Sequence, residues 1–210
     1  MRIEYLTHLI LSLLMKNKIL IFDDIVDSKY QKRIRSILLG DETFENYYFP
    51  WYFTQDVTRQ KDKNSQKRSA FFHGYVMNDN DDINAVGTID SVFHYLFTHL
   101  IENVCNKIGK QNVNVIQGRS FLQLPISFKG EREDSPHIDT VSDHFVILYY
   151  VCDSDGDTII YNEQEKSNSY TVQKRITPKQ GRVVLFDGSY YHTAEQPLNN
   201  IRCVVNYDLK

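Results

Sequence analysis

The tripeptide His137-Ile138-Asp139 lies in the second half of this chain, followed much later by His192 and then by Arg202. In an extended strand side chains alternate between faces, so positions 137 and 139 are expected to project the same way and to grip one metal ion from a single strand. Two imidazoles and one carboxylate make the 2-His-1-carboxylate facial triad, a ligand set that occupies one face of an octahedral Fe(II) and leaves the opposite face open. The tripeptide is common on its own. Its weight comes from what stands downstream.

Ile201-Arg202-Cys203-Val204-Val205-Asn206-Tyr207 reads as a buried strand with a guanidinium inside it. A buried cation without a partner is costly, so Arg202 is expected to face an anion, and its planar fork of donors suits a carboxylate. At this point the chain resembles the 2-oxoglutarate/Fe(II)-dependent oxygenases, where a basic residue a short step beyond the distal His binds the far carboxylate of 2-oxoglutarate. The step from His192 to Arg202 matches.

Other residues carry the same resemblance. Tyr150-Val151-Cys152 followed by Asp155-Gly156-Asp157-Thr158 is similar to a strand and turn of the prolyl-4-hydroxylase-like branch. Pro178-Lys179-Gln180-Gly181-Arg182-Val183-Val184-Leu185-Phe186-Asp187-Gly188, ahead of His192, resembles that branch's lead-in to the distal ligand. The likeness covers residues 113–207. Cys152 replaces the usual Asn, Asp157 replaces a second Gly, and Leu124 stands near where many relatives place a cosubstrate-binding Tyr. None of these removes a metal ligand.

The resemblance implies a fold that is α+β but mainly β, a double-stranded β-helix or jelly-roll core with supporting N-terminal helices. It implies Fe(II) held by His137, Asp139 and His192, with 2-oxoglutarate as cosubstrate and dioxygen as oxidant. Arg202 would hold the distal carboxylate, Tyr150 would hydrogen-bond a cosubstrate carboxylate, Thr158 would line the same pocket, and Asn206 would touch cosubstrate or substrate. For Tyr150 and Thr158 ordinary strand packing is the competing reading. The activity implied is hydroxylation of a C–H bond, of a peptidyl proline or a small molecule. Two alternatives stay open: a nucleic-acid demethylase with the same iron chemistry, and a jelly-roll metal-binding or sensor module without turnover.

Composition narrows the setting. With 210 residues and 41% hydrophobic content the chain can bury one good core, so a single domain over residues 1–210 is expected. A formal net charge of −3 argues against a general nucleic-acid or membrane-surface binder, which favours a peptide or small-molecule partner. Cys105, Cys152 and Cys203 show no CxxC spacing and an odd count, so neither a disulfide framework nor a thiolate zinc site is expected. A reducing, cytoplasmic setting suits that usage and Fe(II). The apolar stretch Leu6–Met15 is too short to span a bilayer and lacks a small-residue cleavage site, so residues 1–16 read as an extension or amphipathic helix.

Along the chain, Lys18–Phe22 reads as a strand, and Ser28 as the cap of a helix that runs toward Leu39 and stops at Gly40. The aromatic cluster Tyr47–Phe53 reads as core packing and strand edge. Arg59–Arg68, with Lys61, Lys63 and Lys67, reads as a solvated loop. Apolar residues at three-and-four spacing from Ile89 to Ile108 predict one helix ending at Gly109, with His94 and His99 on its surface flank. His8 and His73 carry no signal, and His144 competes weakly with His137. Beyond Gly109 come short β-rich runs: 113–116, 120–124, 145–151, 158–161, 169–172, 182–186 and 203–207.

Overall fold

The computed structural model describes residues 18–40, 48–57, 68–78, 86–125 and 131–210. The readings of residues 1–16 and of the basic loop from Arg59 to Lys67 lie outside them.

Strand β1 (Ile19–Phe22) leads to helix α1 (Ser28–Leu39). The cap is Asp27, one residue before the expected Ser28: its carboxylate accepts from Tyr30 N at 2.8 Å. Such a cap contributes about 1 kcal/mol. Gly40 ends the helix with φ 71°, a conformation that costs glycine least. The helix buries Ile34, Ile37 and Leu38.

Strands β2 (Tyr52–Thr54), β3 (Ala70–Met77) and β4 (Thr88–Ile89) come next. The aromatic cluster divides as expected, with Phe49 and Trp51 packed against the core and Tyr52 and Phe53 on the exposed edge strand. The long helix expected over 89–108 does not form as one piece. Asp90 N and Ser91 N both donate to Tyr75 O of β3, and Ser91 Oγ accepts from Phe93 N, so the chain is first tied to the sheet. A 3-10 turn (Val92–Leu96) follows, and only then helix α2 (Thr98–Lys107). His99 is exposed, but His94 is buried and pairs through Nδ1 with the Tyr207 hydroxyl at 3.0 Å. Burial lowers its pKa. His73 is buried as well, bonded to Pro50 O and Ser91 Oγ.

The rest is β5 (Val115–Gln123), β6 (Phe145–Tyr150), β7 (Thr158–Tyr161), β8 (Val172–Ile176), β9 (Val183–Asp187), β10 (His192–Ala194) and β11 (Arg202–Leu209). The two runs expected at 113–116 and 120–124 are one strand, and the run expected at 169–172 starts only at Val172. Antiparallel pairing orders the main sheet β1-β9-β6-β11-β5-β3-β2, with β4 beside β3, and the small sheet β10-β7-β8. The described residues form a mainly β jelly roll with two helices supporting it.

Alternation along β6 explains the layering. Ile147 and Tyr149 face a core shared with Ile34, Leu100 and Val104 of the helices. Val146, Leu148 and Tyr150 face the other way, onto Ile160 and Ile176 of the small sheet. Each aliphatic side chain so buried contributes about 1.5–3 kcal/mol. No helix among the described residues is long and apolar enough to cross a membrane.

Candidate metal centre and anion pocket

A cavity of about 940 Å³ opens between the two sheets. Alternate residues of β5 (Gln117, Arg119, Phe121, Gln123) and of β11 (Arg202, Val204, Asn206) form one wall, and Thr158, His192 and Ala194 of the small sheet face them. The strand period of two puts these side chains on one face.

His137 and His192 come together by an isolated antiparallel bridge, His137 N donating to His192 O at 3.0 Å and His192 N to His137 O at 2.9 Å. This differs from the expected single strand bearing 137 and 139: Asp139 lies in a bend just beyond the bridge. One ligand atom each from His137, Asp139 and His192 fall within 4.8 Å of one another. The two ring centroids are 4.7 Å apart. His137 Nδ1 faces Ser135 O and His192 Nδ1 faces Tyr190 O, each at 3.1 Å. Carbonyls only accept, so each Nδ1 carries the hydrogen and each Nε2 keeps its lone pair for a metal. Burial, with the neighbouring His192, lowers the pKa of His137 to about 4. His144, the weak competitor, stands outside the group, its Nδ1 on Ser142 O at 2.6 Å.

Asp139 is held by Arg119, which the sequence reading passed over, and by Asn206, which that reading had turned toward cosubstrate or substrate. Arg119 Nη2 donates to its Oδ1, and Asn206 Nδ2 donates to Oδ2 at 3.2 Å. Burial alone would raise the Asp139 pKa, but the Arg119 guanidinium and the His192 imidazole hold it well below the usual carboxylate range. Asp208 flanks the same guanidinium at 3.5 Å, and burial together with the Asp139 charge pushes its own pKa well up. The signal for Arg119 was a polar face, Gln117, Arg119 and Gln123, on an otherwise strand-like run. Asp208 fell one residue past the run that ended at Tyr207.

Arg202 is buried, 4% exposed. Its Nε donates to Gly156 O at 3.0 Å, Nη1 to Gln123 Oε1 at 3.1 Å and Nη2 to Thr158 Oγ1 at 2.8 Å. All three acceptors are neutral, and among the described residues no carboxylate lies within ion-pair distance of Arg202. Gly156 is required there: a Cβ would stand 2.6 Å from Glu195 O and 3.1 Å from Arg202 Cδ. Tyr150, expected to touch the cosubstrate, is fully buried and spends its hydroxyl on Thr158 Oγ1 at 2.7 Å. Thr158 itself lines the cavity. Leu124, where relatives carry a Tyr, is 41% exposed, and its neighbour Gln123 takes the place beside Arg202. Gln123 Nε2 reaches Asp134 Oδ2 at 3.4 Å, and Asp134 pairs with Arg68 Nε at 3.2 Å. Arg68, read as part of a solvated loop, is buried, 5% exposed.

Neither a protein-family model nor a curated protein sequence matches the chain. Solved structures do. An oxidoreductase of the 2OG-Fe(II) oxygenase family from Burkholderia pseudomallei is 11% identical, with a TM-score of 0.66 over 95% of this chain and 88% of its own. The chain has the fold of the 2OG-Fe(II) oxygenases. A prolyl hydroxylase from Trichoplax adhaerens, in complex with a hypoxia inducible factor oxygen degradation domain peptide fragment, shares this oxygenase fold at 14% identity and TM-score 0.59, over 98% and 89%. So does the non-heme alpha ketoglutarate dependent carbocyclase SnoK from nogalamycin biosynthesis, 10% identical, TM-score 0.57, over 91% and 78%. At such identities the oxygenase fold is shared while the loops that choose a substrate are free to differ.

Proposed function

We propose that this protein is an Fe(II)- and 2-oxoglutarate-dependent dioxygenase that hydroxylates a C–H bond of a peptide or small molecule. The observation that carries the reading is a pairing. Two imidazole nitrogens and a carboxylate oxygen lie within 4.8 Å of one another, in the same cavity as a buried guanidinium whose hydrogen-bond partners among the described residues are neutral. The donor set fits iron, since two neutral imidazoles and one hard carboxylate leave positions open. His137, Asp139 and His192 would hold it. Bound there, Fe(II) supplies the redox chemistry by which 2-oxoglutarate, dioxygen and R–H become succinate, carbon dioxide and R–OH.

The remaining work belongs to the chain. Arg202 would pair with the distal carboxylate of 2-oxoglutarate, the anion its burial calls for. Thr158 Oγ1 already accepts from Tyr150 and from Arg202, so its own hydrogen is left to donate into the cavity. Tyr150 is thus a positioning residue for Thr158. Asn206 and Arg119 orient the Asp139 carboxylate. Val146, Leu148, Phe186 and Val204 wall the cavity with apolar surface that excludes water from the cosubstrate.

The Trichoplax neighbour is complexed with a peptide and the carbocyclase belongs to nogalamycin biosynthesis, which supports both substrate classes. A demethylase would need cations free to meet phosphates, and Arg68 at the end of the basic run is instead paired with Asp134. A module without turnover has no use for a buried cation with no carboxylate in ion-pair distance among the described residues. The test is to load the protein with Fe(II) anaerobically, add 2-oxoglutarate and oxygen, and assay succinate with panels of proline peptides, small molecules, nucleosides and methylated oligonucleotides. Succinate that depends on 2-oxoglutarate and vanishes in Asp139→Ala is expected. Its absence throughout, or full formation by Asp139→Ala, overturns the reading.

A further inference from the structure

If Arg202 takes 2-oxoglutarate, as proposed above, the substrate needs its own place within reach of the three ligand atoms. Strand register says where. Thr158 lies on Arg202 and pairs with Ala194, and two residues on His192 pairs with Ile160. One step further Tyr161 N donates to Tyr191 O at 2.9 Å. Tyr191 and the 162–171 loop therefore lie beyond His192, on the side away from Arg202. On the facing wall β5 runs the same way, from Gln123 beside Arg202, past Arg119 on Asp139, to Gln117. Lys166, Tyr170, Tyr191 and Gln117 line this end of the cavity.

The loop is tightly built. Glu163 accepts from Thr171 N at 2.9 Å and from Thr171 Oγ1 at 2.8 Å. Ser167 N donates to the Tyr170 hydroxyl at 3.2 Å, and Tyr191 N to Glu163 O at 3.0 Å. The Tyr170 ring stands 5.2 Å from that of Tyr191. These bonds occupy the Glu163 carboxylate, while the Tyr170 hydroxyl only accepts and keeps its own hydrogen. Arg119 gives Nη2 to Asp139 and Asp208, and its Nε is buried without a hydrogen-bond partner among the described residues. The Lys166 ammonium, the Tyr191 hydroxyl and the Gln117 amide have no hydrogen-bond or ion-pair partner among the described residues. All three donate, and one carries a full positive charge.

We propose that this end of the cavity is the substrate subsite and that it takes a small organic carboxylate with a flat ring. The ring would lie on the Tyr170–Tyr191 pair, and the carboxylate would face Lys166, Tyr191 and Gln117. Aromatic surface favours a flat apolar body, and three donors lining one cavity favour an anion that only accepts.

Phenylacetate is the probe, with phenethylamine as its cationic counterpart of similar size. Saturation-transfer NMR reads the binding of each probe to the Mn(II)-loaded protein with 2-oxoglutarate. Mn(II)-induced relaxation reads whether probe and 2-oxoglutarate protons lie near the metal. Phenylacetate should bind with relaxed protons, roughly fivefold better than phenethylamine, the upper range for a solvent-exposed charge pair. Lys166→Glu should abolish or reverse that preference, and Tyr191→Phe should weaken phenylacetate. Equal binding of both probes, or a preference that survives Lys166→Glu, overturns the subsite. Relaxation of 2-oxoglutarate without phenylacetate binding sinks the subsite and leaves the oxygenase reading standing. Phenylacetate binding without relaxation of 2-oxoglutarate does the reverse.

Discussion

Arg119 and Asp139 form a buried ion pair in which the guanidinium takes Oδ1 of the carboxylate. Oδ2 is left facing Asn206 Nδ2 at 3.2 Å and His192 Nε2 at 3.4 Å. The carboxylate is thus turned with one oxygen toward the two imidazoles. Partners that orient a ligating carboxylate commonly govern metal affinity as strongly as some ligands do.

Arg119→Met should therefore weaken Fe(II) or Co(II) binding by about 10–100-fold, the usual cost of losing such a partner. Arg119→Lys keeps the charge without the fork and should fall between. Pairing Arg119→Met with Asp208→Asn avoids leaving a second buried carboxylate uncompensated. Competition against a chromophoric chelator measures the affinity, and an unchanged value in the double variant would show that Asp139 needs no external orientation.

Arg202 carries the strongest expectation for cosubstrate affinity. Removing one member of a buried charge pair costs about 2–5 kcal/mol, so Arg202→Ala should weaken 2-oxoglutarate by that amount. Titration calorimetry with the Mn(II)-loaded protein gives the number, and wild-type affinity in the variant would assign the anchor elsewhere.

Gly156 tests the support of that anchor. A Cβ 2.6 Å from Glu195 O meets backbone, which cannot swing aside, and one 3.1 Å from Arg202 Cδ pushes on the guanidinium stem. Gly156→Ala should cost about 1–3 kcal/mol of stability, as overpacking does, and should also weaken 2-oxoglutarate. Thermal unfolding and calorimetry read the two effects, and a variant with native values in both would contradict the close approach.

Asp134 gives a pH dependence. Burial, opposed by Arg68 and Arg202, raises its pKa from 3.8 to about 6. The folded value lies above the unfolded one, so the folded state holds the proton more tightly, and the stability this contributes is fully present below pH 3.8 and lost as pH rises through 6. The loss is about 3 kcal/mol at most. Asp134→Asn, which cannot ionise, should flatten that slope. Urea unfolding of both proteins across this range decides it, and parallel curves would place the titration on another group.

His192-to-Arg202 spacing, the His137-Ile138-Asp139 tripeptide and the strand run after Gly109 were legible because each is local, a matter of period two and short steps along the chain. The helix over 89–108 was misread for the opposite reason. Its apolar spacing is helical throughout, but Tyr75 O, far back in the chain, captures the N–H groups of Asp90 and Ser91 and postpones the helix to Thr98. Propensity yields to a tertiary hydrogen bond that no window of sequence contains. Arg68 was misread likewise: its neighbours are basic and polar, and only the folded chain supplies Asp134.

By itself the sequence singled out three candidate metal ligands, a cation within a buried strand, and a mainly β fold with helices in front, since side-chain chemistry and strand alternation are properties of the chain. Tertiary structure alone decided that His137 meets His192 through a bridge rather than sharing a regular strand with Asp139. It alone placed Arg119 on Asp139 and Gln123 rather than residue 124 beside Arg202. Those contacts join residues on strands that are neighbours only after the sheets form, and which face meets which is settled by register and by the burial of charge.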